Sequence, residues 1–244
     1  MRKTSQLLII CAFLLSPVIQ AQWKSNQKVK GNGKVISEKR TTSEYERISV
    51  TGFFDVELVS GKEGSITVKG EENLLAHIKI EVVNQELKIT TDKNKYISTS
   101  NGQNIIITVP FENINQVSLT GSGDISTKNT IITDSFSAKL NGSGDLKLHV
   151  EAKELEVELN GSGDIVVIGK TDSLTSALNG SGDIEAGEMK SKNARVTVTG
   201  SGDNSVFCSE NIYARVSGSG EIKYSGNPEN KDTKVNGSGE ITKS

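Results

Sequence analysis

From Val117 onward the apolar residues fall into columns. Two residues before each of seven glycines stand Leu119, Leu140, Leu159, Leu178, Val198, Val216 and Val235. Two residues further back stand Val117, Ala138, Val157, Ser176, Val196, Ala214 and Thr233, with Ser118, Lys139, Glu158 and Arg215 among the residues between the columns. This alternation predicts a strand with one buried face and excludes a helix, whose apolar stripe recurs every three to four residues. The glycines open the tetrapeptide Gly-Ser-Gly-Asp/Glu at Gly121, Gly142, Gly161, Gly180, Gly200, Gly218 and Gly237, spaced by 21, 19, 19, 20, 18 and 19 residues. After each carboxylate a second alternating segment begins with Ile125, Leu146, Ile165, Ile184, Asn204, Ile222 and Ile241. Asn204 breaks that column; an extra residue or bulge there would return Val206 to the inside.

A fixed period near 20 residues is the signature of a solenoid, because one repeat cannot bury its aliphatic columns alone. Each repeat reads as strand, Gly-Ser-Gly turn, strand, looser turn. The expected fold is all-β: a single-stranded parallel β-helix of about 19–20 residues per coil, its coils about 4.8 Å apart. Right-handedness follows only from the general rule for parallel β connections. Seven coils make a rod of roughly 30 Å. In the last coil Lys231, Thr233 and Lys243 replace apolar residues, as suits a polar end that resists edge-to-edge association.

The first half is less regular. Residues 1–21 read as a secretory signal peptide, with Arg2 and Lys3 ahead of the apolar run Leu7–Leu15 and cleavage after Ala21. That run is too short to cross a membrane, and Cys11 is an apolar member of it. Residues 22–44 are a polar lead-in or irregular first strand. Residues 45–244 form one β body, irregular over 45–116 and regular over 117–244. Thr51-Gly52-Phe53-Phe54-Asp55-Val56 is a degenerate copy of the repeat turn. Strands are expected at 65–69, at 78–82 and 87–90 around an Asn84-Gln85 turn, and at 105–109 ending at Pro110, with a helical turn at 74–77.

Composition narrows the function. The 244 residues carry a net charge of -2, with two histidines and two cysteines. A basic nucleic-acid binder and a disulfide scaffold are therefore not expected, and His77 and His149 leave little for a zinc site. Cys208 reads as a buried small hydrophobe.

Several segments together resemble a known family: the leader, Phe-Asp-Val-Glu-Leu at 54–58, Val-Asn-Gln-Glu-Leu-Lys-Ile at 83–89 and the Gly-Ser-Gly-Asp-Ile ladder. They are similar to the head GIN domain of autotransporter adhesins, with many members in Bacteroidetes. The resemblance covers roughly 45–241. It implies a right-handed parallel β-helix and an adhesin-like role, and it brings no catalytic residues and no cofactor. No translocator barrel is recognisable.

The function expected is an exported, non-enzymatic β-solenoid acting as an adhesin-like or surface interaction scaffold. Its partner would be a cell-surface protein or a glycan, and its location the periplasm, the outer-membrane surface or the extracellular space. The alternatives are a polysaccharide-acting β-helix enzyme and a calcium-binding β-roll. Calcium would fall on the carboxylate column Asp124, Asp145, Asp164, Asp183, Asp203, Glu221 and Glu240, where like charges about 5 Å apart repel by about 1 kcal/mol in water. The plainer reading has each carboxylate accept backbone N–H bonds in its own turn. The serine column from Ser122 to Ser238 lacks a base for nucleophilic chemistry and reads as turn residues. Asn141, Asn160 and Asn179 form an expected side-chain ladder. Phe53 and Tyr213 are candidate exposed aromatics, and Arg195 and Arg215 lie on outward columns, read as solvated.

Overall fold

The computed structural model describes residues 27–93, 95–100 and 102–244; the leader expected at 1–21 and Cys11 lie outside them. Seventeen strands join in one sheet, wound so that each coil pairs in parallel with the next. The register follows the repeat: Leu119 faces Leu140, Leu140 faces Leu159, Leu159 faces Leu178 and Leu178 faces Val198. The three inward columns are buried through the middle coils. At an upper bound of about 25 cal/mol per Å² of apolar surface, this burial is the main favourable term.

The looser turn is not a turn. Asp145–Gly161, Asp164–Gly180 and Ile184–Gly200 are each 17-residue strands. Between Asp145–Gly161 and Asp164–Gly180 the parallel ladder keeps its register around the bend while the inward-outward alternation slips at Lys153 and Glu154, both exposed; in the next two pairings the register shifts as well, after Val166 and after Ala186. The bend also carries buried columns that the turn-centred alignment left out, such as Phe136, Leu155, Leu174, Ala194 and Ile212.

Asn204 corrects the sequence reading. It pairs with Ile184 without a bulge, and Val206 remains inside; the register shift falls after Ala186 instead. Asn204 is fully buried, and its Nδ2 donates to Ser176 Oγ at 2.8 Å. Ser176 is the buried polar exception in its own column, so the two exceptions bond to one another inside the rod. Asn204 Oδ1 has no partner.

The degenerate turn is the copy below the ladder. Gly52 registers with Gly121 and Asp55 with Asp124. Phe54 therefore occupies the second-glycine position, and its fully buried ring fills the space beneath the turn column. Phe53 is half-buried, its ring centroid 5.4 Å from that of Phe54. Below this coil lie Glu86–Thr91 and Ile106–Phe111. The latter strand runs on through Pro110, past the end predicted for it. Antiparallel pairs then close this end: Val35–Thr41 with Ser65–Glu71, and Ile78–Val83 with Glu86–Thr91. The Asn84-Gln85 turn has both residues at positive φ, 52° and 61°, as a two-residue hairpin requires. One helical turn, Glu72–Leu75, buries Leu74 and Leu75. The polar lead-in thus contributes two strands, Gln27–Lys30 and Val35–Thr41.

Glycine is required where turn lies on turn. Gly161 has φ +145°, and a Cβ there would sit 2.0 Å from the Gly142 carbonyl oxygen. The second glycine is held by approach alone, a Cβ on Gly163 lying 1.9 Å from the Gly144 oxygen. Gly161→Ala should cost about 3 kcal/mol or more, whereas Gly33→Ala, with φ +78° and nothing within 4 Å, should cost about 1 kcal/mol from backbone strain alone. Urea unfolding of the two variants measures the difference, and equal losses would contradict the close approach.

Candidate functional site

The seven predicted carboxylates do form one edge, and the structure adds Asp55, which registers with Asp124. Their chemistry differs from that expected. Asp124, Asp164, Asp183 and Asp203 do not serve their own turns but accept the backbone N–H of the counterpart in the next coil. Asp145 donates to Asp124 Oδ1 at 3.2 Å, Asp183 to Asp164 at 3.1 Å, and Asp203 to Asp183 at 2.8 Å. Glu221 donates to Asp203 at 2.8 Å. A carboxylate accepting an N–H makes a charge-assisted bond, which offsets the mutual repulsion. At the lower end Asp55 is raised above the usual carboxylate range, first by burial and then by the Asp124 charge, against an Asn104 hydrogen bond. At the upper end Glu221 is lowered by hydrogen bonds from Thr242 and Lys223. Among the described residues no group of three or more His, Cys, Asp or Glu is arranged to hold a metal ion.

The serines stand beside this edge with exposed side chains. Their backbone N–H groups do the bonding: Ser143 donates to the Gly121 carbonyl, Ser162 to Gly142 and Ser181 to Gly161, each at 2.9 Å. His149 meets Thr130 Oγ1 at 3.1 Å. The asparagine ladder forms as expected, with Asn160 Nδ2 donating to Asn141 and Asn179 Nδ2 to Asn160, both at 3.0 Å. A second ladder, Asn230 to Asn211 to Asn193, runs along the bend.

Two outward hollows lie away from the turn edge. One, of about 490 Å³, follows the bend and is lined by Ile132, Ala152, Lys170 and Phe207, among others. Its charges answer one another: Lys153 with Asp134 at 2.9 Å, Lys170 with Glu151 at 2.8 Å, Lys192 with Asp172 at 2.7 Å. Lys190 lies over the Phe207 ring at 4.2 Å. The other, of about 500 Å³, includes Ser173, Asn193, Arg195 and Tyr213. Here Arg195 and Arg215 both pack on the Tyr213 ring, at 4.1 and 3.8 Å from its centroid. Sequence reasoning placed these three on outward columns but missed their contact. The register supplies it, because Arg195 and Tyr213 are direct neighbours in successive coils.

Two buried titratable groups belong to the frame. The Glu71 side chain accepts the N–H of Gly33 at 2.5 Å and of Ser100 at 2.8 Å. Burial raises its carboxyl, but these bonds and Lys30 outweigh that and leave it below the usual range. Cys208 is fully buried, and its thiol is raised by burial, consistent with a packed rather than reactive cysteine.

The family model described as "Putative auto-transporter adhesin, head GIN domain" matches residues 44–228. No curated protein matches the chain. Three solved structures are similar. A "putative adhesin" from Bacteroides fragilis is 25% identical with a TM-score of 0.82, covering 88% of this chain and 100% of its own. A "putative lipid binding protein" from Parabacteroides distasonis is 25% identical with a TM-score of 0.74, covering 89% and 100%. A "putative adhesin" from Parabacteroides merdae is 23% identical with a TM-score of 0.72, covering 89% and 99%.

If the carboxylate edge is bonded as described, Asp183→Ala should lose about 1 kcal/mol by orphaning the Asp203 N–H. Asp183→Asn keeps an acceptor and removes one like charge, and should stay within about 0.5 kcal/mol of the parent. Denaturant midpoints of the two variants check this; equal losses would contradict it.

Proposed function

Because the chain belongs to the head GIN domain family of adhesin-like proteins, we propose that it is an exported, non-enzymatic surface-interaction protein that binds through the outer faces of its solenoid. The observation that carries this reading is how the repeated chemistry is used. Four carboxylates of the edge, the asparagines and most charges of the bend groove are bonded to residues in adjacent coils. That arrangement supports a rigid display surface, because groups held in ion pairs and ladder hydrogen bonds are engaged with the frame rather than free for acid–base work. No helix among the described residues is long and apolar enough to cross a membrane. The partner is a cell-surface protein or a glycan, met by a flat, polar face. The carboxylate edge acts in this reading without a metal.

Two measurements test it. Immobilised protein should retain intact cells or their surface polysaccharide without releasing reducing ends from that polysaccharide; release would favour the enzyme. Thermal melts in about 5 mM calcium, far above a sensor-type dissociation constant, and in EDTA should coincide. A rise of several degrees with calcium would make the carboxylate edge a metal site.

A further inference from the structure

The outer row through Glu156, Thr175, Arg195, Tyr213 and Asp232 holds one group that the frame does not use. Arg215 is engaged, donating to the Asp232 carbonyl and to its Oδ1, both at 2.8 Å. Arg195 is exposed, and among the described residues it has neither a carboxylate partner nor a hydrogen bond; its contact is the face of Tyr213. Stacking on an aromatic ring holds a guanidinium plane in place and leaves its N–H fork available.

Around it the hollow is lined by hydroxyls and amides, with Asp232 and one further cation, Lys231. Thr175 separates Arg195 from Glu156, so the two residues stand two strands apart in the stack, about 10 Å between backbones. Ser173 and Thr175 also line the adjoining hollow beside Glu154 and Glu156. Glu156 is partly neutralised, accepting from Ser137 Oγ at 2.9 Å with Lys139 at 3.5 Å. Ala194 and Ile212, at the floor, are 3% exposed.

We propose that this hollow is a subsite for a carboxylated sugar unit of a surface glycan. The Arg195 fork takes the sugar carboxylate in a bidentate pair, the geometry in which arginine exceeds lysine. Ser173, Thr175 and Asn193 in this hollow, with Glu154 in the adjoining one, present the mixture of donors and acceptors that sugar hydroxyls require. A peptide partner fits less well. The strands here are interior to the sheet, so no open edge is available for strand addition, and the apolar floor residues Ala194 and Ile212 are almost wholly buried, leaving little for an apolar anchor to cover.

The proposal deepens the adhesin reading and rests on it. Calorimetric titration of the full chain with trigalacturonate and with sialyllactose separates a uronate from a sialate source; lactose, acetate and a poly-glutamate peptide are the comparisons. One carboxylated sugar should bind at least about tenfold more tightly than lactose or acetate. Arg195→Ala should weaken it by about tenfold or more, and Arg195→Lys should lose most of that, since the charge stays and the fork goes. Lys192→Ala, in the other groove, should bind as the parent does, and all three variants should melt with the parent. Absence of binding by both carboxylated sugars, parental binding by Arg195→Ala, or equal and Arg195-dependent binding of poly-glutamate would overturn the subsite. Retention of cells by the parent and by Arg195→Ala separates the two readings. Equal retention of both removes the subsite and leaves the adhesin; retention by neither removes the adhesin reading itself.

Discussion

The closeness with which one Gly-Ser-Gly turn lies on the next is the constraint on which this rod depends. The Ser N–H of each turn donates to the first-glycine carbonyl of the turn below, at 2.8–3.0 Å along the whole stack. At that separation no Cβ fits at either glycine, since it would fall about 2 Å from a backbone oxygen. Each bond is worth only about 1 kcal/mol net, but the stack aligns everything else. It brings leucine over leucine inside and carboxylate over carboxylate outside. The like-charge column is therefore a consequence of the pitch, and at four of its steps the next coil's N–H offsets the repulsion.

The departures from the repeat carry the remaining information. Inside the rod, Ser176 and Asn204 replace aliphatic residues in two columns and bond to one another. A buried polar pair of this kind costs desolvation, and its best-attested use is to fix register. At the lower end, Phe54 takes a position that glycine must hold elsewhere, because no Gly-Ser-Gly turn lies beneath it. Outside, rows of paired charge give way at Arg195, Tyr213 and Arg215 to an aromatic ring with guanidinium groups on it. Repetition builds the frame, and the exceptions place a cap, a pin and a binding group on it.

Much of this was legible in the sequence, for a physical reason. Parallel in-register stacking turns a sequence column into a spatial one, so Leu119 to Val216 and Asp124 to Glu240 could be assembled by counting. Counting failed where the backbone stopped repeating at the same length. The continuous strand through Gly169 looked like a turn because both the alternation and the register with the next coil slip at the bend, although the strand itself runs on. Asn204 looked like a bulge because pattern alone cannot see Ser176 across the core. Asp55 stayed outside the carboxylate column because its turn lacks the serine and second glycine. The Arg195–Tyr213 contact depends on side-chain direction, which the columns bound but do not settle.

The most direct test of the stacked-turn account is amide hydrogen exchange at the serines. The N–H groups of Ser143, Ser162, Ser181 and Ser201 should exchange together and slowly, through opening of the rod, while Ser238 in the exposed last coil exchanges faster. Exchange of the four central serines at the rate of an unprotected surface amide would mean that the turns do not bear on one another, and the account of pitch, glycine requirement and carboxylate edge would fail together.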